Sequence, residues 1–428
     1  MSRIPPSQQL AELARQLAAQ AREGTEVEDL THALVRLGAR KLIQELLEAE
    51  VTELLGRGRY ERREPGQEGA RNGYKPRTLR CAEGRLEIDV PQVRGMEGLC
   101  QPTLWRALKR RTDVLERLVV EMYARGLSTR DIEDALAELA GSEAPLLSRS
   151  TVSRITEALH EEFEAFAQRD LSGLDVVYLF ADAIYESLRR QAGCREGILV
   201  TWAILSDGSK VLVHLSLGNK ERYEDWLEHF RDLVRRGLKT PLTVTTDGAP
   251  GLIQAVEAMW PEAERIRCWV HKMRNVLDKV PEEARPVLKP YLEAIRDAPD
   301  IEQGRRLVAE VVERFGREYP SAMRSLQEDL EASLAHLRLP AAHRKHVRTT
   351  NLVERSFEEE RRRAKVIPRF RSERECLKLV FAVLWRASER WRRVQFSEHE
   401  RKQLERYIEE RQRQRAAQKE VSPAATVA

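Results

Sequence analysis

From residue 8 to residue 55, apolar side chains recur at helical spacing. They fall first at Leu10, Leu13, Ala14 and Leu17, then at Leu34, Leu37, Leu42, Ile43, Leu46, Leu47, Val51 and Leu54. That period predicts two or three helices. The pattern switches to alternation through residues 80–91, around Glu83 and Gly84, which predicts a hairpin. Helical spacing returns over residues 113–124 and stops at Gly126. Ser128, with Asp131 three positions on, is placed to cap a second helix, and a third begins near Ser150. Three short helices, the last opening on Ser150, Thr151, Ser153 and Arg154, fit a helix-turn-helix that meets base edges or phosphates. A plain three-helix bundle with ordinary caps has the same pattern.

Beyond residue 170 strands alternate with helices. Residues 175–185, 197–205 and 211–217 read as strands, with Asp207-Gly208 as a tight turn, and so form an antiparallel meander. A helix over 221–238 carries Trp226, Leu227, Phe230 and Val234 on one face, and residues 242–246 form a β-branched strand. An amphipathic helix with Leu252, Ile253, Ala255, Val256 and Met259 leads to a further short strand closed by Cys268-Trp269-Val270-His271. The order β-β-β-α-β-α-β is that of a ribonuclease H-like fold, in which the first and fourth strands are neighbours. Asp182, near the exit of the first, then stands beside Asp247, at the end of the fourth. Asp175 opens its strand and falls at the wrong edge. Open α/β sheets place their chemistry at such strand ends, and hard divalent cations take oxygen ligands.

Residues 276–340 carry no strand pattern, only helices broken at Pro281, Pro299, Pro320 and Pro340. A helix then starts at Thr350 or Asn351, with Glu354 in its first turn. Arg361 lies two turns on along the same face and could hold a phosphate. Glu358 shares that face; Glu358, Glu359 and Glu360 together read as a solvated face.

Composition narrows the classes. A chain of 428 residues supports two to four domains. Mean hydropathy is −0.53, and no apolar run approaches the ~20 residues of a membrane span. The opening residues lack the apolar region of a secretory signal. Five scattered cysteines (81, 100, 194, 268 and 376) point to reduced thiols and a cytoplasmic location. Net charge is only +4, yet residues 56–80 hold eight Lys/Arg against three Glu, and residues 344–375 hold 11 against six acids. Two basic segments point to a polyanion partner. The first, rich in Gly, Pro and Tyr, reads as a phosphate-tracking arm using Arg71, Asn72, Tyr74, Lys75 and Arg77, or as a solvated linker. Cys268 and His271 offer half of a zinc site. Two ligands are not four, so zinc is not expected, and the simpler role is to close the strand and lock the helical segment to the sheet. The tryptophans at 260, 269, 385 and 391 read as packing residues.

Arg71-Asn-Gly-Tyr, Pro91-Gln-Val-Arg, Met122-Tyr-Ala-Arg-Gly-Leu-Ser-Thr-Arg-Asp-Ile, Thr151-Val-Ser-Arg-Ile, Asp182-Ala-Ile-Tyr, Asp247-Gly, Cys268-Trp-Val-His and Thr349-Thr-Asn-Leu-Val-Glu-Arg occur in that order. Together they resemble the bacterial Mutator-type insertion-sequence transposases across nearly the whole chain. The chain departs from that pattern at Ile266, where Gln is common, and at Glu186-Ser187. The resemblance implies an α/β fold: a ribonuclease H-like core interrupted by an all-α insertion and preceded by a mainly helical DNA-binding region. It implies Asp182, Asp247 and Glu354 as a metal-binding catalytic triad for Mg²⁺, with Mn²⁺ able to substitute. The substrate would be double-stranded DNA, both the element's terminal inverted repeats and the target, cut and joined by a dimer or larger assembly. The alternatives are an inactive end-binding protein and a structure-specific nuclease on the same fold. The expected segments are 1–112 (helices, basic arm and hairpin), 113–165 (helix-turn-helix), 166–271 (first part of the core), 272–345 (insertion), 346–412 (C-terminal core helices) and 413–428 (disordered tail).

Overall fold

The computed structural model of the chain describes residues 4–23, 30–96, 101–139, 146–187, 195–218, 222–364, 370, 372–389 and 391–421. Cys100 and Cys194 lie outside them; Cys81, Cys268 and Cys376 are buried free thiols. The chain forms two compact units, Met1–Ala158 and Leu159–Ala428.

The first unit opens with two helices, α1 (Pro6–Arg22) and α2 (Leu30–Leu55). A hairpin follows, β1 (Ala70–Cys81) paired antiparallel with β2 (Gly84–Arg94). The basic stretch read as a flexible arm is therefore a strand from Ala70 onward. Pairing with β2 satisfies its backbone, and Gly73 at φ 78° allows the irregularity between Arg71 and Tyr74. The alternation of β2 buries Leu86, Ile88 and Val90 against Leu47 of α2. Along its edge, α2 supplies Arg36, Arg40 and Gln44, whose side chains donate to the carbonyls of Arg85, Glu87 and Asp89 at 3.0, 2.9 and 2.8 Å. Four helical residues rise ~6 Å and two strand residues ~6.7 Å, so the two ladders run in step. The unit continues with α3 (Thr103–Ala107), α4 (Asp113–Ala124) and α5 (Thr129–Leu139), then the start of α6 (Arg149–Gln168). The last three share a core of Leu115, Val119, Ile132, Leu136, Val152 and Ile155. Ser128 and Asp131 form the expected reciprocal cap on α5.

The second unit is built on a five-stranded mixed sheet: β3 (Val176–Ser187), β4 (Arg195–Leu205), β5 (Lys210–Gly218), β6 (Thr243–Thr246) and β7 (Glu264–Arg267), in the order β5-β4-β3-β6-β7. The first three are antiparallel, whereas β6 joins β3 in parallel and β7 joins β6 in parallel. Helices α7 (Tyr223–Arg235) and α8 (Pro250–Met259) cover one face, packing Trp226, Phe230, Leu233, Leu252 and Val256 against Leu179, Ala181, Leu199 and Val244. After β7 come α9 (Trp269–Leu277), α10 (Arg285–Arg296), α11 (Ile301–Phe315), α12 (Pro320–Gln327), α13 (Leu330–Leu334) and α14 (Ala341–Val347). Most of these helices share a second apolar core, including Leu288, Leu292, Val308, Phe315, Leu326 and Leu337. Helix α9 begins at Trp269, so Cys268 is a helix N-cap and His271 is helical, not part of a closing strand. Helices α15 (Asn351–Ala364), α16 (Glu373–Ser388) and α17 (Glu398–Val421) complete the unit.

Trp260 and Trp269 are buried in the two cores; Trp385 packs on Phe166 and Trp391 on Trp202. The expected disordered tail is helical through Val421, where Arg, Gln, Glu and Ala favour helix and Arg415 donates to the carbonyls of Pro261 and Glu262. Residues 422–428 lie outside the described residues. Among the described residues, no helix is long and apolar enough to cross a membrane.

Phe230 is fully buried between the rings of Trp226 and Trp260. Phe230→Ala is expected to lower stability by about 3–5 kcal/mol, read from urea denaturation of the full chain. A loss below about 1 kcal/mol would contradict this packing.

Candidate active site

Strand β3 is buried on both faces through Tyr178–Ala181, as a central strand must be. Its odd-numbered residues, Leu179 and Ala181, face α7 and α8. The even-numbered ones face the other way, where Tyr178 bonds His343 of α14 at 2.7 Å. Asp182 continues that second set. On β6 the same side carries Thr245, whose hydroxyl donates to the Val347 carbonyl at 2.8 Å, and Asp247 is next in that series. Because the strands run parallel with Ala181 opposite Thr246, Asp182 and Asp247 are the following pair. Both point to one side of the sheet where β6 ends; Asp182 is not at the exit of its own strand, because β3 runs on to Ser187 in pairing with β4.

Asp182 is only 8 % exposed. Burial, and next the negative charge of Asp247, push its carboxyl well above the usual carboxylate range; the Ala183 N–H and His271 pull the other way. One oxygen of each acid is held by a nearby backbone N–H: Ala183 of β3 donates to Asp182 at 2.8 Å, and Ala249, in the turn after β6, donates to Asp247 at 2.9 Å. Gly248 turns the chain at φ 92°, and a Cβ there would lie 0.3 Å from Nη1 of the buried Arg267. The backbone angle favours glycine here, and a side chain at this position would also have to displace the end of the Arg267 guanidinium.

Glu354 arrives from the first turn of α15, and Thr350 ties that helix in place. Its N–H donates to Cys268 Sγ at 3.3 Å, and its hydroxyl lies 3.4 Å from both that sulfur and Glu354 Oε1. Trp269 N–H donates to the Arg348 carbonyl at 2.9 Å. His271 Nε2 stands 3.7 Å from Glu354 Oε1. The charges of Asp247, His271 and Cys268 act on Asp182, and His271 and Cys268 are in turn grouped with Glu354. Sequence reasoning offered Thr350 only as a helix start and did not find its contact with Cys268, the Arg267 guanidinium over Gly248, or the meeting of Cys268 and His271 with Glu354, because each is a contact between parts of the chain that folding brings together. The Thr-Thr-Asn run ahead of Glu354 was the available signal for Thr350.

Of the neighbouring acids, Glu360 departs from expectation. Glu358 is exposed, but Glu360 is fully buried. Burial and then Glu186 push the Glu360 carboxyl up to about 8, so it is no part of a solvated face. Beside α15 lies a cleft of about 560 Å³ lined by Lys210, Lys345, Arg355, Trp391 and Arg392, among others. Lys210 and Arg392 fall outside the two basic sequence segments. Arg361 is exposed on α15.

In the first unit, Asn72 and Lys75 are exposed on β1, and Arg77 is partly buried. Arg71 instead donates to the Thr52 hydroxyl and to the Arg57 and Gly58 carbonyls. The Tyr74 hydroxyl accepts from Arg59 and donates to Glu48, and burial, then Glu48, raises it to about 12. These two side chains hold the hairpin to its surroundings. Ser150, Ser153 and Arg154 are exposed in the first turns of α6, with Thr151 partly buried beside them. The Ser148 hydroxyl lies within 3.1 Å of those of Ser150 and Thr151.

The family model for Mutator-family transposases matches residues 7–394. The transposase for insertion sequence element ISRM5 of Rhizobium meliloti is 34% identical over 82% of this chain and 87% of its own length. That for IS406 of Burkholderia multivorans is 32% identical over 82% and 90%, and that for IS6120 of Mycolicibacterium smegmatis 36% identical over 64% and 84%. The chain belongs to the Mutator family of transposases.

Two outcomes follow from this geometry. Gly248→Ala should destabilise the protein by more than about 1 kcal/mol. A double-mutant cycle with Arg267→Ala should show coupling of at least about 0.5 kcal/mol; strict additivity would contradict the close approach. Asp182 binds its proton more tightly folded than unfolded, so its contribution to stability is fully present below the unfolded pKa and is lost as pH rises through the folded one. In chelator-treated protein, Asp182→Asn should therefore raise the melting temperature at pH 7. The gain should vanish below about pH 4. An unchanged or lower melting temperature at pH 7 would contradict the repulsion between the acids.

Proposed function

We propose that this chain is a transposase that binds the terminal inverted repeats of its element, nicks the DNA there, and joins the freed 3′ end to a target strand. In this reading the sheet of the second unit is a ribonuclease H-like core and the helices between β7 and α15 are its all-α insertion. The single observation that carries the reading is the Asp182–Asp247 pair set by the parallel register of β3 and β6, in a chain of this family, with Glu354 grouped with the same Cys268 and His271 whose charges act on Asp182.

The acids suit divalent magnesium or manganese. Burial and the neighbouring Asp247 both disfavour a charged Asp182, a penalty that a bound cation would offset, and among the described residues no protein donor reaches the other oxygen of either aspartate. Asp182, Asp247 and Glu354 would hold the metal, which when bound supplies charge stabilisation for the attacking and leaving oxygens. The chain's own part is to fix these oxygens before substrate arrives, through the Ala183 and Ala249 N–H groups and through Thr350. In the first step water oxygen bonds to phosphorus, the bond from phosphorus to the 3′ oxygen breaks, and that oxygen leaves as a hydroxyl. In the second step the 3′ hydroxyl loses its proton, its oxygen bonds to a target phosphorus, and the bond from that phosphorus to the target's own 3′ oxygen breaks, releasing a target strand that takes up the proton and ends in a 3′ hydroxyl. Lys210, Lys345, Arg355 and Arg392 in the cleft along α15 would neutralise phosphates, and the exposed Asn72, Lys75, Ser150, Ser153 and Arg154 of the first unit would contact the repeats. Holding two ends together would require at least two copies of the chain.

A supercoiled plasmid carrying the element ends tests the reading. With Mg²⁺ the protein should give nicked ends and then joined strands. Asp182→Asn, Asp247→Asn and Glu354→Gln should each lower the rate by about 10³-fold or more while retaining binding. Cut ends without joined strands would indicate a nuclease, and full activity of Asp182→Asn would reject the triad. Affinity for the ends should fall steeply and linearly on a log–log plot against salt; a flat plot would remove the basic contacts.

A further inference from the structure

The sequence offers Cys268 and His271 as two metal ligands without a second pair. The fold supplies a third. The ligand atoms of Cys268, His271 and Glu354 all lie within 4.8 Å of one another. Cys268 is fully buried at the N-cap of α9, and His271 stands one turn on along the same helix. The Cys268 sulfur accepts from the Thr350 N–H at 3.3 Å and lies 3.4 Å from its hydroxyl. Donors aimed at sulfur are the outer-shell partners that a metal-bound thiolate keeps. His271 has no hydrogen bond at either ring nitrogen among the described residues: Nδ1 is buried without a partner, and Nε2 is 3.7 Å from Glu354, beyond hydrogen-bonding range. Three ligands that converge without satisfying each other describe a site drawn together for something else.

Their chemistry selects the ion. Magnesium takes oxygen ligands, whereas thiolate, imidazole and carboxylate together are a zinc set, and three protein ligands leave the fourth position open. We propose that Cys268, His271 and Glu354 form a binding site for Zn²⁺, and that its occupancy withdraws Glu354 from the pair Asp182 and Asp247 and so switches the enzyme off. The inhibitory half rests on the reading of Glu354 as the third acid; the binding half does not. Zinc entry displaces the thiol proton of Cys268, with no change of oxidation state.

Cobalt(II), a coloured stand-in for zinc, tests the site in the full chain without DNA, under a non-chelating reductant. One equivalent should give a thiolate-to-cobalt charge-transfer band that Zn²⁺ abolishes. Cys268→Ser should lose the band; His271→Ala and Glu354→Gln should weaken binding at least tenfold; Asp182→Asn should keep both. Absence of the band in the wild-type chain, which needs no variant to fold, overturns the proposal. So does zinc binding of equal affinity in a folded Cys268→Ser protein. In the Mg²⁺-supported nicking assay, micromolar Zn²⁺ should inhibit the wild type at least tenfold, and the inhibition ratio should fall towards one in Cys268→Ser. An unchanged ratio overturns the inhibitory half. If Asp182→Asn nicks DNA normally while the cobalt band is present, the triad reading fails and the metal site stands.

Discussion

The second unit depends on the parallel pairing of β3 with β6. Parallel neighbours cannot be joined by a tight turn, so the connection from the meander must cross the sheet through α7, whose Trp226, Phe230 and Leu233 form its cover. With Ala181 set opposite Thr246, the next residue on each strand is an aspartate on the same side. Two carboxylates are thereby forced together at a buried edge, against their mutual repulsion. Slipping either strand by one residue would send its acid to the apolar face under α7 and α8. The hydrophobic alternation that builds the core also fixes the position of the charges.

The helical segment between β7 and α15 is tolerated because it closes on itself. It has its own apolar core, and both its ends are bonded to one place. Trp269 N–H reaches the Arg348 carbonyl, Thr350 reaches Cys268, and farther out Arg265 of β7 donates to Asp329 at 2.6 Å while Trp269 Nε1 donates to the Ser333 carbonyl at 2.7 Å. Loop-closure cost grows only slowly with length, so a long excursion that returns to its starting point costs little more than a short one. The bonds that close the excursion also deliver Glu354. The helical segment and the surroundings of Glu354 are therefore mechanically linked, which is why the residues around Glu354 come from both ends of that segment.

Charge is distributed by the same logic. A net charge near neutrality over the whole chain conceals a cleft where Lys210 and Arg392, distant in sequence, join Lys345 and Arg355. Burial and then Arg355 push the Lys210 ammonium below its usual range, an arrangement that a polyanion would relieve. Arg71 and Tyr74, by contrast, sit in a basic stretch yet spend their polar groups on the protein itself. Local composition marks where cations are concentrated but not which of them are free.

Strands, helices and their order were legible in the sequence because each has its own period, two or 3.6 residues, and depends on neighbours along the chain. Asp182 and Asp247 were legible for the same reason: each sits at the end of a β-branched or apolar run, and the order of the runs makes the first and fourth adjacent. The capping of α5 by Ser128 is likewise local. What the sequence could not decide were the contacts made across the helical excursion and across the sheet. Among these are Thr350 on Cys268, Arg267 lying over Gly248, Glu360 buried rather than solvated, and residues 413–421 held as helix by Arg415. The convergence of Cys268 and His271 with Glu354 is of the same kind. Each depends on which surfaces meet after the chain has folded back, and no periodicity along the chain encodes a meeting between residues some eighty positions apart.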